Sequence, residues 1–143
     1  MNTSDEKLVK QQQLQEQRQD NMIKKSKREQ RIKVKSRIRK KIFGTAERPR
    51  LTVYRSLHHM YTQLVDDTQS RIIAAASTLS PEVREEIKGL KNRKEIAKKV
   101  GAAIAQKALK NNVKNVVFDR SGYAYHGLVQ SIAEGAREAG LKF

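Results

Sequence analysis

Thirteen of the 31 Lys and Arg residues in this 143-residue chain fall between Ile23 and Arg50, against only two acids there, Glu29 and Glu47. No other feature restricts the possible folds as strongly. A stretch this basic cannot fold on its own, because Lys and Arg are costly to bury and repel one another when held close. It needs phosphates to settle against. With a formal net charge of +16 and a pI near 10.3, the chain carries the electrostatic footprint of nucleic-acid binding, densest at Arg37, Arg39, Lys40 and Lys41.

Two periods compete inside the block. Arg31-Ile32-Lys33-Val34-Lys35 alternates like a strand, while Val34, Ile38 and Ile42 recur every four residues like a helix, and length favours the helix. Such a helix has a narrow apolar stripe, a broad cationic surface and Gly44 as its stop. The residues before it, 1–22, are Gln-rich and close to neutral, with three basic and four acidic side chains. Alone, that composition predicts disorder; within an assembly its Gln, Leu, Lys and Glu residues favour helix. The chain therefore divides into a polar N-terminal extension (1–22), a basic helical arm (23–48) and a globular part (49–143).

From Pro49 the period becomes that of strands. Leu51-Thr52-Val53-Tyr54 and Met60-Tyr61-Thr62-Gln63-Leu64-Val65 are β-rich runs joined by Ser56-Leu57-His58-His59, and Arg71 to Ala76 follows a turn at Asp66 to Ser70. Ser80 and Pro81 suit the N-cap and first position of a short helix ending by Gly89. Asn92 with Glu95 is a capping signature for a longer helix that buries Ile96, Val100, Ile104 and Ala108 and leaves Lys94, Lys98, Lys107 and Lys110 wet. Asn115 to Phe118 reads as a buried strand reached by a right-handed crossover, and Leu128, Val129, Ile132, Ala133 and Ala136 as the inward face of a last helix stopped by Gly140. The order β-β-β-α-β-α makes an α/β fold, a mixed sheet with helices packed on it.

The absence of cysteine excludes disulfides, thiolate zinc sites and Cys nucleophiles, and fits a reducing compartment. No apolar run approaches the roughly 20 residues of a membrane span. Asp5, Glu6 and Glu16, without an apolar stretch, fit neither a secretory signal nor a transit peptide.

Between the fourth strand and the last helix lies Asp119-Arg120-Ser121-Gly122-Tyr123-Ala124-Tyr125-His126-Gly127. Arg120 can bridge phosphates, Tyr123, Tyr125 and His126 offer flat faces with polar tips, and the following helix N-terminus presents free N–H groups to an anion. This loop from Phe118, with Ala136-Arg137-Glu138-Ala139-Gly140-Leu141-Lys142-Phe143 at the C-terminus, resembles the bacterial form of large-subunit ribosomal protein eighteen, a family that binds 5S ribosomal RNA. Arg48-Pro49-Arg50-Leu51, His59-Met60-Tyr61-Thr62-Gln63 and Ala74-Ala75-Ala76-Ser77-Thr78 match in order and spacing, so the resemblance covers roughly residues 31–143. It departs at Leu128 and His58, where the family usually has Arg and Lys, and residues 1–22 have no counterpart in it.

The resemblance implies a ribonuclease H-like domain without nuclease activity, in the cytoplasmic ribosome, that helps attach 5S to 23S ribosomal RNA in the central protuberance beside neighbouring large-subunit proteins. It implies no cofactor, metal, membrane or small-molecule substrate. The candidate RNA ligands are Lys27, Arg28, Arg31, Lys33, Lys35, Arg37, Arg39, Lys40 and Lys41 in the arm, Arg48, Arg50, Arg55, Ser56, His59 and Tyr61 in the first hairpin, and Arg120, Ser121, Tyr123, Tyr125 and His126 in the loop.

Three other readings compete. Asp66, Asp67 and Asp119 sit at predicted strand ends, where a nuclease of similar fold holds two Mg²⁺ ions; adjacent Asp66-Asp67 before a Thr is also ordinary turn chemistry, and no fourth acid joins them. His58, His59 and His126 lack carboxylates or thiolates at ligand spacing, so they are better RNA-facing or turn residues than a metal cluster. As a lipid-binding amphipathic helix, the arm has too narrow an apolar stripe and no Trp.

Overall fold

The computed structural model describes residues 3–23 and 26–143; Met1, Asn2, Lys24 and Lys25, which belong to the expected extension and arm, lie outside them. Two helices come first, α1 (Thr3–Ile23) and α2 (Lys27–Arg39), followed by β1 (Arg50–Arg55), β2 (Met60–Asp66), β3 (Arg71–Ser77), α3 (Pro81–Ile87), α4 (Arg93–Lys110), β4 (Val117–Asp119) and α5 (Leu128–Glu138). Residues Thr3–Ile23 are thus helical in the chain by itself, where the composition alone predicts disorder, in keeping with the helix propensity of their Gln, Leu, Lys and Glu.

The strands form one mixed sheet in the order β3-β2-β1-β4. β1 pairs antiparallel with β2 and parallel with β4, and β2 pairs antiparallel with β3. Alternation along β2 buries Met60, Thr62 and Leu64 on one face and leaves Tyr61, Gln63 and Val65 half-exposed on the other. Leu51, Leu64 and Ala76 of the buried face meet Val100, Ile104 and Ala108 of α4, with Val83, Val116 and Leu141 closing the same core. A second cluster joins Val53 and Met60 to Ala97, Val129 and Ile132.

α4 and α5 approach closely because each offers a glycine at the seam. A Cβ on Gly101 would lie 2.2 Å from the Ile132 carbonyl oxygen, and one on Gly135 would lie 2.3 Å from that of Lys98. The two helices end alike. Val113 N–H donates to Ala108 O and Asn112 N–H to Leu109 O, while Leu141 N–H donates to Ala136 O and Gly140 N–H to Arg137 O. Both are paired C-terminal bonds around a residue of positive φ, Asn112 and Gly140.

Several expectations change in detail. Asn92 does cap α4, accepting from Lys94 N–H, whereas Ser80 precedes α3 without capping it because its hydroxyl accepts from Ser77 N–H instead. Lys107 is half-exposed, and its ammonium sits 2.7 Å from Glu82 and donates to Ala75 O. The last strand starts at Val117 rather than Asn115, since Asn115 bridges to Lys142 and Val116 N–H donates to Lys142 O, tying in the C-terminal residues. Gly44 does not stop the basic helix, which ends at Arg39. It is buried, donating its N–H to Asp67 and accepting from Asp67 N–H, and a Cβ there would stand 2.5 Å from Arg50 N.

Candidate nucleic-acid interface

α2 starts at a complete capping box. Ser26 accepts from Glu29 N–H, and the Glu29 carboxylate accepts from Ser26 N–H. One of the two acids in the basic block is therefore spent on opening the helix. Along it, Arg31, Val34, Lys35 and Ile38 are half-buried, whereas Lys27, Arg28, Lys33, Arg37, Lys40 and Lys41 are exposed. The arm rests on the β4–α5 loop, Arg31 against Gly122 and Tyr123 and Arg39 near Asp119, and its Lys35 and Arg39 border a groove over the sheet face that carries Thr52, Tyr54, Tyr61 and Gln63.

Two residues of the long loop make that docking possible. Ser121 (φ +53°) and Gly122 (φ +82°) form a tight turn closed by Tyr123 N–H on Arg120 O. A Cβ on Gly122 would fall 2.3 Å from the Arg31 carbonyl oxygen, so only glycine lets the helix backbone pass. The turn then delivers Tyr123 as the joint. Its ring lies beneath the Arg31 guanidinium at 4.7 Å and near that of Arg55 at 5.7 Å. Its hydroxyl accepts from Arg31 Nη1 (2.9 Å) and Arg55 N–H (3.1 Å) and donates to Arg55 O.

Arg50, expected at a phosphate, is instead buried at 8% exposure. Its Nε and Nη2 donate to the two oxygens of Asp67 (2.9 and 3.1 Å), and its Nη1 donates to Asp119 (2.8 Å). The Asp67 carboxyl is held below its usual range chiefly by the hydrogen bond from Arg50, and the same bond raises Arg50. Asp119 is fully buried and also accepts from Ser121 N–H; Arg39 of the arm reaches it at 3.8 Å. Asp66 turns inward to accept from Thr68. The three aspartates considered as a Mg²⁺ site are thus a turn residue and the two counter-ions of Arg50. Among the described residues, no group of three His, Asp or Glu side chains has metal-site geometry.

Ser121 is a second reassignment. It is buried, its hydroxyl 2.7 Å from that of Thr52, so it holds the loop to β1 rather than facing outward. The other candidates lie nearer the surface. Arg120 is half-buried and donates to Tyr123 O; Tyr125 is exposed, with Arg137 on its hydroxyl and its ring edge-on to Phe118; His126 is exposed. His59 is half-buried, with Nδ1 2.9 Å from Thr78 Oγ1, and Ser56 closes the β1–β2 turn with His59. Arg48 and Arg55 are exposed, and Leu128 packs against the second core cluster.

Between arm and sheet runs an open groove of about 580 Å³ lined by Lys35, Arg39, Thr52, Val53, Tyr54, Ser56, Tyr61, Gln63 and Ser121. Lys35 forms its inner wall, and burial, then Arg39, Arg31 and Arg50, lower its pKa. Tyr54 and Tyr61 are register partners across β1 and β2, their rings 5.9 Å apart. Tyr54 and Gln63 are not among the candidates that the sequence suggests. The signal was present, since aligning the two strands about Ser56 to His59 puts Tyr54 opposite Tyr61 on one face.

Together these features define a class: a small α/β scaffold that holds a cationic helix against its β4–α5 loop and leaves most of the helix's charge outside. Comparison with known sequences narrows it. Residues 25–143 match the model of ribosomal L18 of archaea, bacteria, mitochondria and chloroplasts, and the chain belongs to that family. It is 55% identical to the large ribosomal subunit protein uL18 of Thermotoga petrophila over 123 residues, 85% of this chain and the whole of that one. Likewise it is 56% identical over 115 residues to that of Myxococcus xanthus, 80% of this chain and 96% of the relative. With Caldanaerobacter subterraneus the figure is 53% over 122 residues, 85% and 99% of the two chains.

Proposed function

We propose that the chain is a structural, non-catalytic constituent of the large ribosomal subunit, acting in the cytoplasm, and that it binds 5S ribosomal RNA and helps attach it to 23S RNA. The observation that carries this reading is the docked arm: a helix fixed by Tyr123 and Gly122 with Lys33, Arg37, Lys40 and Lys41 turned away from the protein. Cations placed so are free to neutralise backbone phosphates, while the exposed Arg48, Arg55, Tyr125 and His126 add contacts from the globular part. The scaffold is of the ribonuclease H-like kind put to a non-chemical use, with a guanidinium where a nuclease would need metal ions. In this reading residues 23–48 are the RNA arm, 49–143 the recognition domain, and 1–22 a separate extension.

Each phosphate contact contributes about −0.7 to −0.9 to the slope of log affinity against log salt. Replacing Lys33, Arg37, Lys40 and Lys41 by Gln should therefore flatten the slope for deproteinised 5S RNA by about 3, with no change in melting temperature. An unchanged slope would show that these side chains do not meet phosphates. Equal affinity of the parent protein for 5S RNA and for a random polyanion would defeat the assignment itself.

A further inference from the structure

The groove between α2 and the sheet joins cations to an aromatic floor of two facing tyrosines. A second cationic hollow, lined by Lys27, Arg28, Arg31, Arg55 and Tyr123, has no such open floor because the Arg31 guanidinium already covers the Tyr123 ring. Tyr54 is 53% exposed because it lies near the end of β1, beyond the residues that pair with β4, on the face opposite the buried Leu51 and Val53. Tyr61 stands opposite it with the rings tilted by 42°, and His59 meets the edge of Tyr61 at 6.5 Å. Gln63 and Ser56 line the same space, and Lys35 and Arg39 wall it on the arm side.

Each part suits a different part of one nucleotide. A π-face stacks on any base, an amide can read the hydrogen-bonding edge of a base, and two cations lining the same groove can meet its phosphate. A paired helix cannot present a base face to such a floor. An unstacked nucleotide can, and the groove's 580 Å³ falls within the range of small-ligand sites. Stacking of unpaired bases on sheet-borne aromatics is a general means of reading single-stranded RNA.

We infer that the Tyr54–Tyr61 groove takes one unstacked base of the 5S RNA, stacked on Tyr54, with Lys35 and Arg39 on its phosphate. The inference rests on the proposed 5S RNA binding and adds to it how the sheet recognises that RNA. Arm and groove then divide the work. The outer cations give affinity for any backbone, and the groove distinguishes folded RNA with extruded bases from plain duplex.

The test measures the affinity of the full chain for deproteinised 5S RNA and for a fully paired RNA duplex of matched length, at one salt concentration. Tyr54→Thr keeps a β-branched strand residue while removing the ring, and Tyr54→Phe keeps the ring without the hydroxyl. Tyr54→Thr should weaken 5S binding roughly 5- to 100-fold, the range expected for one lost base–aromatic stack. Tyr54→Phe should bind as the parent does, and neither should alter duplex binding. Parent-like 5S binding by Tyr54→Thr, an equal loss on both RNAs, or an equal loss in Tyr54→Phe would each overturn the groove assignment and leave the 5S reading standing. Failure of the parent to prefer 5S RNA over duplex would remove the reading on which it rests.

Discussion

Arg50→Met separates two roles that the sequence alone confuses. If Arg50 met phosphate, the variant would fold normally and bind RNA less well. The structure gives the opposite outcome, because Arg50 is the cation between Asp67 and the fully buried Asp119. Removing one partner of a buried ion pair strands the other charge, at a cost of about 3–5 kcal/mol. Two features place the loss near 3. Asp67 is 21% exposed and regains water, and Arg39 already stands 3.8 Å from Asp119 and can follow it. For a chain of this size each kcal/mol shifts the melting temperature by about 2–8 °C, so a fall of about 6–24 °C is expected by circular dichroism. Adding Asp119→Asn should recover part of it, since the stranded charge is then gone. There is an acid-side signature too. The folded-state pKa of Asp67 lies below its ordinary 3.8, so its contribution is complete above about pH 4 and is lost as pH falls through the folded value. Arg50→Met should remove that acid-limb dependence. A variant that melts within about 4 °C of the parent but has lost RNA affinity would refute the staple argument.

Two other substitutions test close approaches. Gly122→Ala should release the arm, because the new Cβ collides with the Arg31 carbonyl and the backbone at φ +82° is strained, together about 1–3 kcal/mol; hydrogen exchange of α2 amides should accelerate while the sheet amides hold, and unaltered α2 protection would count against the docking. Gly101→Ala should overpack the α4–α5 seam against Ile132 and cost at least about 1–3 kcal/mol in thermal melting, with a parent-like melt as the contrary result.

Most of the folded scaffold was legible because it is written in local periods. The alternating residues of β1 and β2, the 3.6-residue spacing of Val100, Ile104 and Ala108, and the turn at Gly140 each have one physical reading. What could not be read was pairing at a distance. Arg50 in a basic block looks like every other cation there, and nothing within ten residues reveals that Asp119 is its partner, 69 positions away. Gly44 showed the same limit. A glycine after a helical pattern reads as a stop, yet this one is needed because Arg50 and Val65 press on it. Tyr123 was chosen for its flat face and polar tip, and both are used, but by Arg31 and Arg55 of the same chain.

That last substitution of partner bears on how the arm can work. A loose basic tail would have to be ordered at the moment of binding, at a cost of about 1–2 kcal/mol per residue in backbone freedom. Here Arg31, Lys35 and Arg39 are already held against the domain, so much of that cost is met on folding and the outer cations arrive in a fixed array. Lys35, half-buried in the same arrangement, has its pKa lowered first by burial and then by Arg39, Arg31 and Arg50, with Asp119 acting in the opposite direction. A phosphate bound in the groove would favour both the charged form of Lys35 and the docked position of Arg39, so RNA in the groove and a docked arm would reinforce each other.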